Sequence, residues 1–209
     1  MSAVVLSGRW SRRVARVAGV IALMLLGSVT YAAPDPTESV RGTTRVLLER
    51  LDNVQPLYKT NPERFFSEVE KSLAPHVDFV GFSRGVMAKH YRKASDAQRA
   101  RFAEKFRTSL IRTYAKALVE FDNQRVEVKP GKPSKKPGRA TVRLEIHGAR
   151  GVIYPVDYTL VYMDEAWKLR NVVIDGINIG LQFRSQFAES MRKHRDIDAV
   201  ISAWDVGAS

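Results

Sequence analysis

The sequence contains no cysteine, which excludes disulfide bonds, thiol nucleophiles and thiolate metal ligands. Stability must therefore come from packing. Histidine is also scarce, and the four residues His76, His90, His147 and His194 have no spacing typical of metal ligands. A glycine-rich phosphate-binding loop is missing too. These absences argue against thiol, metal and nucleotide chemistry.

Long hydrophobic runs are confined to the first 32 residues. Four arginines precede the apolar run Val17–Val29, and small residues follow at the −3 and −1 positions before a cleavage point. This layout predicts that residues 1–32 are a secretory signal peptide, cleaved after Ala32 or Ala33. The alternative is a membrane anchor, but the 13 apolar residues fall short of the ~18–20 that span a bilayer. We expect an exported, soluble protein of the periplasm with one domain, residues 33–209.

Acidic residues are fewer than basic ones, with 22 Asp and Glu against 34 Lys and Arg. The formal net charge is +12, and it is +8 once the four arginines of the leader are removed. A basic protein suggests nucleic-acid binding, but export argues against it, so we expect no nucleic-acid partner. The polyanions available in the periplasm are lipid head groups and acidic protein surfaces. A solvated surface whose charge serves solubility is the alternative.

The first half of the predicted domain is helical. Asp35-Pro36 suits the start of a helix, and Asn61-Pro62 begins a second one that Pro75 ends. Ser95 and Gln98 form a capping-box pattern ahead of the longest helix. The segment His76–Tyr91 carries glycines, which favours short helical pieces that serve either as core or as a movable wall. The first helix has one apolar stripe, formed by Val40, Thr44, Leu47, Leu51, Val54 and Tyr58.

The second half alternates apolar and polar residues with the period of a β-strand. Strands are predicted around 126–128 and 142–146, and then at Tyr154–Met163 and Trp167–Ile174. Asp175-Gly176 is predicted to be a hinge before a helix with an apolar step of four residues. A last short helix begins at Asp196. These elements predict an α+β fold, with helices packed on one side of a curved four-stranded antiparallel sheet.

A catalytic acid–base pair inside the domain has poor support. His147 shares a strand face with Arg143 and Glu145, and Asp157 lies on the face opposite Val156 and Tyr158. Period-2 geometry therefore points both candidates away from the apolar interior. A basic polyanion-binding module built on the cationic loop at residues 132–139 remains a further alternative.

The remaining candidate is the apolar interior itself, which could be a filled core or a ligand cavity. Its lining is predicted to come from the inner sheet face, the long helix, the segment after His76 and the arm after Gly176. The predicted lining residues are Phe79, Phe82, Val86, Met87, Phe106, Leu110, Tyr114, Leu118, Val142, Leu144, Ile146, Tyr154, Val156, Tyr158, Leu160, Ile174, Ile177, Ile179 and Phe183.

A family resemblance favours the cavity. The segments His90–Leu118 and Tyr154–Phe187 resemble the MlaC or toluene-tolerance family of periplasmic phospholipid-binding proteins. The resemblance is carried by Tyr91-Arg92, Thr113-Tyr114, Trp167-Lys168, Asp175-Gly176 and Phe183-Arg184-Ser185-Gln186-Phe187. The chain departs from the family pattern at Asn178, at Phe183 and at His194-Arg195, where the family often has serine, tyrosine and glycine.

The resemblance implies a fold like the nuclear-transport-factor-2 superfamily and a carrier function without catalysis. It implies phospholipid as cargo, with no cofactor, and a monomer that serves two membrane partners. These are an inner-membrane ABC transporter complex with an MCE-domain protein (MlaFEDB-like) and an outer-membrane lipoprotein–porin complex (MlaA-like). Because acyl chains must be hidden from water, the predicted lining residues are then lipid-binding residues. Ile177, next to Gly176, is predicted to be a sensitive pocket position.

Overall fold

The computed structural model describes residues 33–119 and 124–205, without the side chains of residues 132 and 133. The predicted leader, residues 1–32, lies outside the described residues. The described residues belong to one compact unit, Ala33–Ser209. Within them, every helix is too short or too polar to pass through a bilayer.

The first three helices follow the proline and asparagine signals of the sequence. Helix α1 is Pro36–Val54, and the Asp35 carboxylate accepts hydrogen bonds from the amides of its first turn at 2.8 and 2.9 Å. Pro56 separates it from the short helix α2, Leu57–Thr60. The predicted stripe from Val40 to Tyr58 is therefore split between two helices. Helix α3, Pro62–Leu73, is capped by Asn61 and runs into a 3₁₀ turn at Ala74–His76.

Two further helices follow in the sequence before the first strand. Helix α4 is Phe79–Met87, followed by a 3₁₀ turn at Ala88–His90. Helix α5 is Asp96–Val119, and its capping box is confirmed. The Ser95 amide donates to Gln98 Oε1 at 2.9 Å, and the Gln98 amide donates to Ser95 Oγ at 3.2 Å.

All strands of the sheet pair antiparallel, in the order β1-β3-β4-β5-β6, with β2 also paired to β3. Their bounds are β1 Arg125–Val128, β2 Lys132–Pro133, β3 Arg139–His147, β4 Ile153–Met163, β5 Ala166–Ile174 and β6 Ile177–Asn178. The four predicted strands are present, but the predicted strand number was too low. Two-residue pairings such as β2 and β6 leave no alternation for a sequence to show.

The predicted alternation along β3 is confirmed. Val142 and Leu144 are buried, while Arg143 between them is exposed. Arg143 donates two hydrogen bonds of 2.7 Å to the Asp157 carboxylate, its partner on β4. The inner face is therefore apolar, and the outer face carries paired charges.

A β-bulge at Arg170 connects the sheet to the helices. Thr159 pairs with Asn171 but Leu160 pairs with Leu169, so Arg170 is the extra residue of β5. Its guanidinium binds the buried Asp78 carboxylate, with Nε at 2.6 Å. Asp78 also accepts a 2.7 Å hydrogen bond from the Gly81 amide at the start of α4. One carboxylate therefore caps a helix and binds a strand.

The main closed core lies where α4 and α5 meet the C-terminal helices α6, Ile179–His194, and α7, Ile197–Ala203. Its centre is a group of interlocked rings. Phe102 lies 4.9 Å from Phe187 and 5.1 Å from Trp204, and Phe106 lies 5.1 Å from Phe82 and 5.6 Å from Phe183, between ring centroids. Such edge-to-face contacts add to the stabilisation from burial.

The turn between α6 and α7 differs from the family pattern in a way that predicts a stabilising change. Arg195 caps α6 in the left-handed conformation, at φ 56° and ψ 9°. This conformation costs an L-residue roughly 1–2 kcal/mol, and glycine adopts it freely. Allowing for the greater entropy of glycine in the unfolded chain, we expect Arg195→Gly to raise the free energy of unfolding by about 0.5–1 kcal/mol.

Urea denaturation measures this change, and Arg184→Gly is the matched control. Arg184 is exposed within the same helix, so glycine there should lower the free energy of unfolding by about 0.5–1 kcal/mol. Equal destabilisation by the two substitutions would contradict the assignment of strain to Arg195.

Candidate functional site

A cavity of about 250 Å³ lies between α1, α3 and the inner face of the sheet. We call it the main cavity. Helices α1 and α3 form one wall, strands β1, β3 and β4 form the other, and Leu118 of α5 closes one side. The lining residues are Thr44, Leu47, Leu48, Arg50, Leu51, Val54, Val69, Ser72, Leu73, Leu118, Val126, Leu144, Ile146, Val156 and Tyr158.

A smaller space of about 90 Å³, the adjoining cavity, continues toward the start of α1. Thr44, Leu47, Leu73 and Tyr158 line both cavities. The other residues of the adjoining cavity are Ser39, Val40, Thr43, His76, Val77, Leu160, Trp167 and Leu169. From Ser39 to Val54 the two cavities follow α1 over roughly 22 Å, at 1.5 Å per residue. This is an elongated space.

The wall of the main cavity is mostly aliphatic, so it favours an apolar ligand. An engineered apolar cavity of ~150 Å³ holds benzene, and the main cavity is larger at about 250 Å³. Its polar lining residues are Thr44, Arg50, Ser72 and Tyr158. Burial raises the pKa of the Tyr158 phenol, so this side chain stays neutral at physiological pH.

Helix α1 is held over the sheet by hydrogen bonds at its two ends. Trp167 Nε1 donates to the Pro34 carbonyl at 2.6 Å, and the Gly131 amide donates to Thr37 Oγ1 at 2.9 Å. Beyond the other end of α1, Gln55 Nε2 donates to the Leu118 carbonyl at 2.6 Å. The residues between these contacts cover the cavities. The helix therefore forms a wall rather than a fully packed core element.

Some of the predicted lining residues lie on the cavity walls. They are Leu118, Leu144, Ile146, Val156, Tyr158 and Leu160. All but Leu118 come from the inner sheet face, because period-2 alternation assigns them correctly to that side.

The structure places the other predicted lining residues elsewhere, because the aromatic rings of α4, α5 and α6 interlock and fill the space between these helices. Phe79 lies in the hydrophobic cluster beside α3 without lining either cavity, and Val142 is buried in the sheet cluster and also lines neither. The residues in or against the main closed core are Phe82, Val86, Met87, Phe106, Leu110, Ile174, Ile179 and Phe183.

Three predicted positions face solvent in part. Tyr114 is 38% exposed, Tyr154 is 45% exposed and Ile177 is 59% exposed. Asp175 and Gly176 form a tight turn with positive φ, which sets Ile177 on the short edge strand β6 rather than in the interior. A charge at Ile177 therefore no longer tests the cavity.

Sequence reasoning missed the contribution of α1 and α3. The sequence predicts an apolar stripe on the first helix that includes Thr44, Leu47 and Leu51, but the predicted lining residues include none of them. Thr44 within that stripe was one available signal, because a hydroxyl in an apolar stripe suits a cavity wall better than a dry contact. No pattern in the sequence shows that α1 crosses the open side of the sheet.

The structure does not bring the candidate catalytic residues Asp157 and His147 into the apolar interior. Asp157 is bound to Arg143 on the outer face, and His147 lies there beside Glu127 at 3.5 Å. A Gly-x-Ser-x-Gly pattern occurs at Gly81–Gly85, but it lies inside α4 rather than at a strand-to-helix turn. Its Ser83 is buried and donates to the Val80 carbonyl at 3.0 Å.

A cluster on the outer face could bring together metal-ligand atoms. One ligand atom from each of three residues, Glu127, Glu145 and His147, lies within 4.8 Å of the ligand atoms of the other two. The Lys129 ammonium already lies 2.7 Å from Glu127 and 3.0 Å from Glu145. Hydrogen bonds from Lys129 and Arg125 lower the pKa of Glu127 to about 2. The Lys129 ammonium therefore takes the place between the two glutamates that a metal ion would need.

Comparison with known proteins places these features in a family. The family model described as MlaC protein matches residues 41–206. The toluene tolerance protein Ttg2D of Pseudomonas putida is 42% identical over 178 residues, which cover 84% of this chain and 82% of that protein. The intermembrane phospholipid transport system binding protein MlaC of Haemophilus influenzae is 23% identical over 197 residues, which cover 91% of this chain and 90% of that protein.

A solved structure shares the fold. It is a phospholipid-binding protein from Ralstonia solanacearum in complex with a phospholipid, with a TM-score of 0.73 and 24% sequence identity. The match covers 80% of this chain and 93% of that one. With the family model spanning most of the sequence and a relative at 42% identity, the chain belongs to the MlaC family.

Proposed function

We propose that this protein is a periplasmic phospholipid carrier that holds acyl chains in the main and adjoining cavities. The observation that carries the proposal is an elongated apolar cavity between α1, α3 and the sheet, in a chain of the MlaC family. The Haemophilus relative is named as a binding protein of phospholipid transport, and the Ralstonia neighbour is in complex with a phospholipid.

The energetics suit a carrier. Each acyl CH₂ group removed from water contributes about 0.8 kcal/mol, so ten such groups contribute about 8 kcal/mol. A soluble protein that extracts a lipid must enclose the chains to recover this energy. The wall residues that do so are aliphatic and come from both the helices and the sheet.

The size of the cavity implies that its wall moves. Ligand pockets usually measure about 300–1,000 Å³. The main cavity of about 250 Å³ lies just below that range, so a two-chain lipid needs the adjoining cavity and some outward movement of α1. Helix α1 is the suitable wall, because the closed core behind α4 is filled with aromatic rings.

We further propose that the protein works in the cellular setting that the family resemblance implies. Residues 1–32 are a cleaved signal peptide, and residues 33–209 are a single monomeric domain with a fold of the nuclear-transport-factor-2 type. The protein is the substrate-binding component of an ABC-type intermembrane system that maintains outer-membrane lipid asymmetry. Its partners are an inner-membrane ABC transporter with an MCE-domain protein and an outer-membrane lipoprotein–porin complex. It carries phospholipid as cargo and performs no catalysis.

Organic extraction of the purified protein, followed by mass spectrometry, tests the proposal directly. We expect phospholipid to be recovered in a defined ratio to protein, because enclosed acyl chains survive purification. Protein that yields no phospholipid, and that takes up none from vesicles, would contradict the carrier function.

A cavity-filling substitution tests where the chains lie. Leu47 lines both cavities, so Leu47→Trp should reduce co-purifying phospholipid at least several-fold by occupying their space. Quantitative mass spectrometry measures the loss, and circular dichroism checks that the variant is folded.

Two matched controls should keep their lipid. Val46 is the neighbouring residue on α1 and is 47% exposed, so Val46→Trp adds the same ring outside the cavity. Ile177→Glu places a charge at an exposed position on β6. Lipid lost from Ile177→Glu and kept by Leu47→Trp would place the binding site beside β6 rather than beneath α1.

A further inference from the structure

We propose that Arg50 binds the phosphate of the lipid at the mouth of the main cavity, with Ser72 orienting its guanidinium. The inference rests on the proposed carrier function and adds a head-group subsite to it. It also gives the cargo one orientation in the cavity.

Arg50 lies at the opening of the main cavity, which we call its mouth. Of the described residues that line the main cavity, Arg50 is the charged one, and its side chain is exposed. A residue that both lines an apolar cavity and reaches solvent lies where the cavity opens. The Arg50 stem can cover apolar surface while its charged end stays in water, as long basic side chains commonly do.

The guanidinium of Arg50 has unused hydrogen-bond donors. Its contact with Ser72 Oγ is long, at 3.4 Å. The Ser72 hydroxyl donates to the Glu68 carbonyl at 2.8 Å, so its oxygen is left to accept from Arg50. Arg50 has no ion pair with a carboxylate in the described ranges 33–119 and 124–205. A guanidinium carries five N–H donors in a fork that matches two phosphate oxygens.

The nearby carboxylate does not neutralise this site. Glu68 is bound to Lys71 at 2.9 Å. Its pKa lies below the ordinary value, first because of the hydrogen bond from Lys71 and also because of the charges of Arg64 and Arg50. Lys71 is therefore the ion-pair partner of Glu68, and the guanidinium of Arg50 keeps its donors for another anionic group.

The cavity shape then sets the direction of the acyl chains. The main cavity joins the adjoining cavity at residues that line both, including Thr44 and Tyr158. The adjoining cavity then continues toward the start of α1. With the phosphate at Arg50, the chains run along α1 toward the space beside Leu160 and Trp167. Arg50 therefore separates phosphate-bearing lipids from neutral ones, while the aliphatic wall accepts either.

A comparison of two lipids with the same chains tests this subsite. Delipidated full-length mature protein is titrated with phosphatidylglycerol and with diacylglycerol, which lacks the phosphate. We expect Arg50→Gln to weaken phosphatidylglycerol binding about tenfold and to leave diacylglycerol binding within twofold, because only the charge-assisted bonds are lost. Arg50→Lys keeps the charge but not the fork, and should give an intermediate loss.

Arg45→Gln is the matched control, because Arg45 is an exposed arginine of the same helix and lines neither cavity. An equal loss from Arg45→Gln would show general attraction to anions and overturn the subsite. So would equal losses for the two lipids in Arg50→Gln, or no loss for either. Displacement of bound lipid by millimolar glycerol phosphate would indicate a free-phosphate site and overturn it as well. Wild-type protein that binds neither lipid would instead refute the carrier function itself.

Discussion

The contact between Asp78 and Arg170 connects the helical layer to the sheet. Asp78 is almost fully buried, and a buried carboxylate is costly unless donors surround it. Arg170 and the Gly81 amide supply those donors, and the Asp78 amide donates to the Leu169 carbonyl at 2.8 Å. Gly81 is required for this approach, because a Cβ atom there would lie 2.1 Å from the Asp78 carboxylate. The bulge, the cap and the glycine form one unit.

This connection divides the domain into two regions with different packing. On the side of α5, α6 and α7, aromatic rings interlock and leave a closed core. On the side of α1 and α3, leucine and valine side chains face the sheet across an elongated cavity. Rings fill space efficiently in edge-to-face contacts. The short aliphatic side chains of the cavity wall do not reach across it, and this difference leaves the cavity unfilled by protein.

The extent of what could be predicted follows from the range of each signal. Caps such as Ser95–Gln98 and the alternation along β3 are local, and they gave the helices, the long strands and the inner sheet face. The family resemblance gave the class of protein. The position of the cavity was not predictable, because Phe82, Phe106 and Phe183 look identical in sequence whether they fill a core or line a pocket. Their interlocking depends on how the three helices α4, α5 and α6 meet, which no local pattern records.

The hydrogen bonds of α1 have a mechanical consequence. Pro34 is bonded to β5, Thr37 to the connection between β1 and β2, and Gln55 to α5, so both ends of α1 are held while its middle lies over the cavities. An outward displacement of the middle of α1 acts on the hydrogen bonds at its two ends. A ligand that moved the middle of α1 outward would therefore strain these three terminal hydrogen bonds, while the aromatic core on the other side of the Asp78–Arg170 contact would keep its packing.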